Sequence, residues 1–184
     1  DKTALNSLVE QALTNASFTA TEAHESIQLN NAQLMTDDTV LCPAEEVSIE
    51  RKIEFSLGME RDLVAKPKGK NVPYNSVQDI TGQRHIFSSA GLNARSKSRM
   101  CVAYAYALIE DGDKNAMEGA GQANRLFADL NVNDLVARAY SNTIDILEGS
   151  PVESGHYEVI FDEEMQASLF GVFSLMFSGK SAKD

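Results

Sequence analysis

Only three histidines, His24, His85 and His156, could supply nitrogen ligands to a catalytic metal ion in this sequence. His24 is followed by Glu25, and such a pair begins the zinc-binding helix of many metalloproteases. In that helix a second histidine one turn later completes the ligand pair, and the glutamate activates water. Residues 26–29 contain no histidine, so the motif is incomplete. We therefore predict no metal site at His24.

The two remaining histidines are more simply explained as structural residues. His85 lies between Arg84 and Ile86 in an alternating stretch, where a surface or cross-strand position is expected. His156 follows a glycine at the start of a predicted strand. Since a protein zinc site requires three or four ligands around the ion, we expect neither histidine to be a ligand. We assign no catalytic, cofactor-binding or metal-binding residue to this chain.

Three other patterns resemble catalytic motifs only in part. The segment Gly119-Ala120-Gly121 lacks the third glycine and the lysine-serine pair of phosphate loops, and we interpret it as a small-residue strand. Ser88 and Ser89 lack the flanking glycines of a nucleophile elbow and fit a tight turn. The acidic pairs Asp162-Glu163 and Glu45-Glu46 are interpreted as helix starts, where carboxylates cap the helix or complement its positive end.

The composition is that of a globular protein long enough to bury a sizeable core. Its 184 residues are 43% hydrophobic and 23% charged. The net charge of −11 repels phosphate backbones and anionic lipid, so we expect neither nucleic acid nor a membrane as partner. No apolar run approaches the roughly 20 residues of a membrane span, and no secretory signal precedes the first predicted helix. We expect a cytoplasmic protein.

Two local clusters have simple structural interpretations. Arg95, Lys97 and Arg99 alternate along a predicted strand, which favours one solvated face. Cys42 and Cys101 could pair in principle, but two cysteines do not make a disulfide framework. Cys101 lies in an apolar alternating run and is expected to be a small buried side chain.

Helical spacing predicts the elements at the start of the chain. Apolar residues from Leu5 to Ala16 indicate an amphipathic helix over residues 3–17 with one buried stripe. The weaker pattern of residues 18–41 indicates an irregular connector. Pro43 is expected to open a second helix that ends before Pro67, with a solvated loop at residues 66–70. The residues expected to mark the buried side of this helix are Ile49, Ile53, Leu57 and Val64.

From Val72 the apolar period changes to two, which predicts an antiparallel meander. The turn signals are Thr81-Gly82, Ala90-Gly91 and Asp111-Gly112. The predicted strands are residues 74–80, 83–88, 92–98, 100–109 and 115–124. In the fourth strand large residues alternate with small ones, which favours a central strand that is covered on both sides, with helices on the small face.

The final third of the chain contains the clearest helical stripe and then a predicted strand-to-helix corner. Apolar spacing from Val132 to Leu147 predicts a long helix closed by Gly149 and Pro151. We place a domain boundary there, giving domains 1–150 and 151–184. Residues 155–161 are predicted to form a short buried strand, with Asp162 capping the next helix. The stripe expected to be buried on that helix is Met165, Leu169, Val172, Phe173 and Met176, widened by Phe170 and Phe177.

Taken together, these patterns predict an α+β fold: an antiparallel β-meander packed with amphipathic helices, followed by the strand-helix start of a second domain. The order of its motifs resembles the TldD/PmbA family, once called modulators of gyrase. The resemblance rests on residues 86–92, on the long strand that ends at Asp111-Gly112, on the helix at residues 132–148, and on Gly155-His156-Tyr157-Glu158-Val159. It covers most of the chain in the same order.

The resemblance implies a central domain followed by the beginning of a C-terminal domain. It also implies a heterodimeric cytosolic peptidase whose TldD-type subunit carries His-Glu-x-x-x-His on the helix after the Gly-x-Tyr strand. The corresponding helix here has no histidine, and no carboxylate after Glu164. This is the pattern of the PmbA (TldE) subunit, and none of the family's ligand positions is matched.

We therefore expect a non-catalytic PmbA/TldE-like subunit of a TldD-type zinc metalloprotease. The resemblance implies that zinc is bound by the TldD-like partner and that the substrate is a peptide; this chain could also form a homo-oligomer. The alternative is a non-enzymatic binding or regulatory protein of the gyrase-modulator type. An independently active metalloprotease with all its ligands elsewhere is disfavoured, because the family places two ligands on this helix.

Overall fold

The chain divides into two compact units, Asp1–Glu148 and Gly149–Asp184. The computed structural model describes residues 1–20, 38–179 and 181. The predicted connector therefore lies largely outside the described residues, as does His24.

Three long antiparallel strands form the sheet of the first unit. They are β1 (Gly69–Phe87), β2 (Asn93–Asp111) and β3 (Lys114–Asn124), in the order β1-β2-β3. Gly91 and Gly112 lie in the two connecting turns with φ values of 88° and 63°, a conformation that favours glycine. The predicted meander and these two turns are confirmed.

The prediction of five short strands is wrong. Strand β1 continues through the predicted turn at Thr81-Gly82, and β2 continues through Arg99, where two separate strands were predicted. Ile80 pairs with Met100, Thr81 with Arg99 and Gly82 with Ser98, without interruption. The Thr81-Gly82 turn is not formed, since continuous cross-strand hydrogen bonding keeps both residues extended. Strand β1 also begins at Gly69, inside the predicted loop.

In the described part of the chain, five α-helices precede or follow the strands in sequence. They are α1 (Lys2–Ser17), α2 (Asp38–Leu41), α3 (Ile49–Val64), α4 (Val132–Glu148) and α5 (Glu163–Phe173), with short 3-10 helices at Phe127–Asp129 and Ser174–Phe177. The predicted bounds of α1 and α4 are confirmed, as is the end of α3 before Pro67. The predicted start of α3 is wrong: Ser48 is its N-cap, and its hydroxyl accepts a hydrogen bond from the Arg51 N–H at 3.3 Å.

The core lies between the sheet and helices α3 and α4. The small face of β2 is completely or almost completely buried, as predicted: Cys101, Ala103, Ala105, Ala107 and Ile109. Met59 and Leu63 from α3 and Leu135 and Ala139 from α4 belong to the same cluster. On the opposite face of β2, Met100 is 53% exposed, so coverage of both faces is not observed among the described residues of this unit.

Two predicted buried stripes are exposed in the first unit. Helix α1 contains no buried residue. In α3 the predicted core positions Ile49, Ile53 and Leu57 are each more than half exposed, and Gly58, Met59 and Leu63 are buried instead. The helix has apolar residues on two sides, and helical spacing alone does not tell which side meets the sheet.

In the second unit the predicted helix is confirmed and the predicted strand is not. Asp162 caps α5, its carboxylate accepting a hydrogen bond from the Met165 N–H at 2.7 Å. Residues 155–161 have no strand pairing within the described part of the chain, and Ile160 is 97% exposed. The stripe predicted to be buried on α5 is also wrong, since α5 contains no buried residue.

None of the helices described is both long and apolar enough to cross a lipid bilayer.

Candidate functional site

A buried cluster of charged side chains lies where β1 and β2 meet the segment before α3. The Arg99 guanidinium donates from Nε to Oδ1 and from Nη2 to Oδ2 of Asp79, both at 2.9 Å. Arg99 is only 5% exposed, so the prediction that it belongs to a solvated face is wrong for this residue. Its long side chain lies on the inward face, where Asp79 neutralises the charge.

Two further residues complete this cluster. Lys52 of α3 donates to Oδ2 of Asp79 at 2.7 Å. Arg99 Nη1 lies 3.2 Å from the Glu45 carboxylate, which also accepts hydrogen bonds from the backbone N–H groups of Phe127 and Ala128. Glu45 therefore caps the 3-10 helix at Phe127–Asp129; the interpretation of Glu45-Glu46 as the start of α3 is wrong.

The electrostatics of the cluster are those of a structural ion pair. The hydrogen bond from Arg99 holds the pKa of Asp79 far below its usual range, against the opposing effect of burial. Burial raises the pKa of the neighbouring Cys101 thiol, which donates to Asp79 Oδ1 at 3.5 Å. A protonated, buried thiol is a poor nucleophile. Cys42 and Cys101 are both free, so no disulfide joins them.

The open sheet face is the second candidate. We use this name for the side of the sheet away from α3 and α4, which bears Tyr74, Ser76, Gln78, Met100, Tyr104, Tyr106 and Met117. Tyr106 makes edge contacts with Tyr74 and Tyr104, at centroid distances of 6.2 and 6.3 Å. Three adjoining tyrosines beside polar side chains form a surface that can pack against apolar groups and donate hydrogen bonds.

Glycines in β3 shape this surface. Tyr106 is paired with Gly119 and Tyr104 with Gly121. A Cβ atom at Gly119 would lie 2.6 Å from the Ala105 carbonyl oxygen and 2.8 Å from the Tyr106 ring. The ring therefore lies directly over the backbone of β3. The interpretation of Gly119-Ala120-Gly121 as a strand is confirmed, and its glycines serve close packing.

The second unit contains a shallow hollow of about 370 Å³ beside α5. Its lining is largely apolar: Phe161, Gln166, Leu169, Phe170 and Phe173. The only polar side chain in this lining, Gln166, donates to the Phe161 carbonyl at 2.8 Å. The hollow can accept an apolar side chain but presents no metal ligand.

The positions of the histidines and acids do not match a zinc site. Among residues 1–20 and 38–179, no three His, Cys, Asp or Glu side chains lie close enough together to hold one ion. His85 is exposed and its ring makes an edge contact with Phe87, consistent with the predicted surface position. His156 is exposed in the second unit.

A second hollow, of about 280 Å³, lies between α3 and the start of α4. Arg51 and Arg61 contribute to its lining, but both are already engaged. The Arg51 guanidinium lies 5.6 Å from the centre of the Phe127 ring, and Arg61 donates to Asp62 at 2.9 Å. These contacts favour a packing role for both arginines.

Sequence reasoning missed the cluster formed by Asp79, Glu45 and Lys52. The sequence did contain a signal for Asp79. Strand alternation places it on the same face as the buried residues of β1 and β2, so its burial could have been predicted. No local pattern connects Glu45 with Arg99, which is 54 residues away. Ser88 forms the turn as predicted: its backbone N–H donates to Leu92 O at 3.0 Å and its hydroxyl accepts from the Leu92 N–H at 3.2 Å.

Comparisons with known proteins agree with this architecture. The model of the PmbA/TldA metallopeptidase central domain matches residues 42–147. No curated protein matches the chain in a sequence search. A candidate modulator of DNA gyrase from Bacteroides thetaiotaomicron has a similar structure, with a TM-score of 0.70, 15% identity, and coverage of 96% of this chain and 42% of the other.

A second solved structure has the same fold over a shorter range. It is a candidate modulator of a DNA gyrase from Thermotoga maritima, with a TM-score of 0.55 and 16% identity. The match covers 79% of this chain and 33% of the other. This chain therefore spans less than half the length of both proteins.

Proposed function

This chain belongs to the PmbA/TldD family, and from that premise we propose that it is the PmbA/TldE-like, non-catalytic subunit of a TldD-type zinc metallopeptidase that processes peptides in the cytosol. The observation that carries the proposal is the composition of α5. Where the resemblance implies His-Glu-x-x-x-His in a catalytic subunit, residues 165–179 contain no histidine and no carboxylate. On this proposal, α5 corresponds to the ligand helix of the catalytic subunit and has lost its ligands.

Two structural features, one in each unit and considered separately, support a role in peptide binding. The open sheet face combines three tyrosines with Ser76 and Gln78, a mixture suited to an extended peptide. The hollow beside α5 offers a place for an apolar side chain. The zinc and the water that it activates would belong to the partner subunit, so no catalytic step is assigned to residues of this chain.

The test uses the full-length protein, purified alone and together with a paralogue that carries His-Glu-x-x-x-His. We expect the two proteins to co-purify, and we expect elemental analysis to find zinc only in preparations that contain the paralogue. Peptidase activity should require the paralogue's glutamate. Stoichiometric zinc and peptidase activity in this protein alone would refute the proposal.

The two similar structures are of proteins named as modulators of DNA gyrase, which favours one alternative for this chain, a regulatory partner of DNA gyrase. It predicts co-purification with gyrase and an altered supercoiling rate in its presence. If gyrase associates and the paralogue does not, the regulatory function replaces the subunit function. If the paralogue associates and the supercoiling rate is unchanged, the alternative is excluded.

A further inference from the structure

A short segment before α3 lies against the end of the sheet, and we call residues 41–47 the strap. Residues 43–48, all in the described part of the chain, form neither helix nor strand. Glu45 and Val47 are half-buried, and Val47 packs against the core. The strap is therefore held in place by contacts with other elements and not by a helix or strand of its own.

Two arginines hold the strap by its backbone. Arg125, which follows β3, donates to the Leu41 carbonyl at 2.8 Å. Arg99 of β2 donates to the Glu45 carbonyl at 3.1 Å. The Glu45 carboxylate accepts two more hydrogen bonds, at 2.6 and 2.9 Å, from backbone N–H groups of the 3-10 helix at Phe127–Asp129. All these contacts lie at the same end of the sheet, so they can form and break together.

The Cys101 thiol lies next to these contacts and is completely buried. Its Sγ atom is 3.5 Å from Asp79 Oδ1 and 4.0 Å from the Arg125 carbonyl oxygen. The backbone of Arg125 thus contacts the thiol while its side chain holds the strap. Displacement of the strap would remove cover from this end of the buried sheet face.

Opening of the strap leaves no buried charge unpaired. Arg99 keeps both of its hydrogen bonds to Asp79, and the Glu45 carboxylate moves into water. Arg125 is already exposed. Exposure of Cys101 by separation of the strands would instead break the strand pairing and the core. A segment with little backbone hydrogen bonding of its own opens at a lower free energy than core strands.

We propose that the strap is a hinged cover over the Cys101 end of the sheet. It opens as one unit while the strands and α4 stay folded, and its opening exposes the Cys101 thiol and the ion pair between Arg99 and Asp79. A ligand or partner that displaces the strap therefore also changes the accessibility of this buried face. The device is independent of the zinc-binding partner.

The first test measures how fast N-ethylmaleimide modifies Cys101 in the folded full-length protein, followed by mass spectrometry of the peptide that contains this residue. The thiolate adds to the maleimide double bond, and the adjacent carbon takes up a proton from water. We expect Arg125→Ala to accelerate modification about fivefold, because one hydrogen bond of the strap is lost. The matched control is Arg138→Ala, which removes an arginine donor from the Gly121 carbonyl, outside the strap. It should leave the rate unchanged.

Three results of this measurement would overturn the proposal. Two of them are equal rates in wild type and R125A, and equal acceleration by R125A and R138A. The third is modification of wild-type Cys101 no faster than global unfolding, measured in urea and extrapolated to water. The thiol would then become exposed only when the whole sheet unfolds.

Hydrogen exchange tests whether the strap opens as one unit. Val47→Ala weakens the end of the strap that packs against the core. We expect faster exchange of the Phe127 and Ala128 amides, whose acceptor is Glu45, while amides paired between β1 and β2 keep their wild-type rates. Unchanged exchange at both amides, or acceleration throughout the strands, would contradict independent opening of the strap.

Discussion

Asp79 and Arg99 lie diagonally across β1 and β2 and form a two-point ion pair on the buried face of the sheet. Asp79 is paired in register with Cys101, and Arg99 with Thr81, so the long arginine side chain reaches along the strands to meet the carboxylate. Both nitrogen-oxygen distances are 2.9 Å. Glu45 and Lys52 then connect this pair to the segment before α3 and to α3 itself.

Removing the Asp79 charge should destabilise the protein strongly. In Asp79→Asn the guanidinium of Arg99 stays buried with only Glu45 as a charged partner. We expect the free energy of unfolding to fall by about 3 kcal/mol, measured by urea denaturation, because a buried charge that loses its doubly hydrogen-bonded partner is costly. The control is Lys52→Met, which leaves Asp79 paired with Arg99 and should cost less than about 1 kcal/mol. Equal losses in both variants would contradict this account.

The ion pair between Asp79 and Arg99 also predicts how the free energy of unfolding depends on pH. Hydrogen bonding to Arg99 lowers the pKa of Asp79 in the folded protein, while the unfolded value is about 4. A lowered folded-state pKa gives stability that is fully present well above pH 4 and is lost as the pH falls below it. The difference in unfolding free energy between wild type and Asp79→Asn should therefore begin to shrink as the pH falls below about 5 and continue to shrink below about pH 3. A pH-independent difference would show that Asp79 acts without its charge.

Glu45 should stabilise the 3-10 helix at Phe127–Asp129. Glu45→Ala removes the acceptors for the backbone N–H groups of Phe127 and Ala128 and one partner of Arg99. We expect a loss of about 2 kcal/mol in unfolding free energy, with a smaller loss for Glu45→Gln, which keeps one acceptor oxygen. Glu46 is an exposed neighbour of Glu45, and Glu46→Ala should change the free energy of unfolding by less than about 0.5 kcal/mol. A similar effect at both positions would rule out capping.

Gly119 and Gly121 should differ sharply in their tolerance of a methyl group. Gly119→Ala forces the Ala105 carbonyl and the Tyr106 ring to move, since the nearest atoms lie at 2.6 and 2.8 Å. We expect a loss of about 1–3 kcal/mol in unfolding free energy. A Cβ atom at Gly121 would lie 3.7 Å from its nearest neighbours. Gly121→Ala should therefore change the free energy of unfolding by less than about 1 kcal/mol. Urea denaturation of both variants provides the comparison, and equal stability would show that the ring is not held against β3.

Local sequence patterns correctly predicted the structural features whose physical cause lies within a few residues. Helical spacing and capping residues located α1, α4 and α5 because 3.6-residue periodicity and a cap at Asp162 act within a few residues. Turn glycines at Gly91 and Gly112 identified the meander. The alternation in β2 predicted which face the helices cover, because small residues allow close approach. The family resemblance also followed from the order of these elements.

Tertiary structure decided everything that depends on partners distant in the chain. Long-range pairing joined the predicted short strands into β1 and β2, despite the glycine at position 82. Packing against the sheet buries Met59 and Leu63 of α3 and leaves Ile53 and Leu57 exposed. Arg99 can be buried because Asp79 and Glu45 neutralise its charge. Neither carboxylate is near Arg99 in the sequence, so no local pattern predicts this burial. The sequence by itself determined most of the helices, two turns and their order; only the fold determined how far the strands run and which charges and apolar faces are buried.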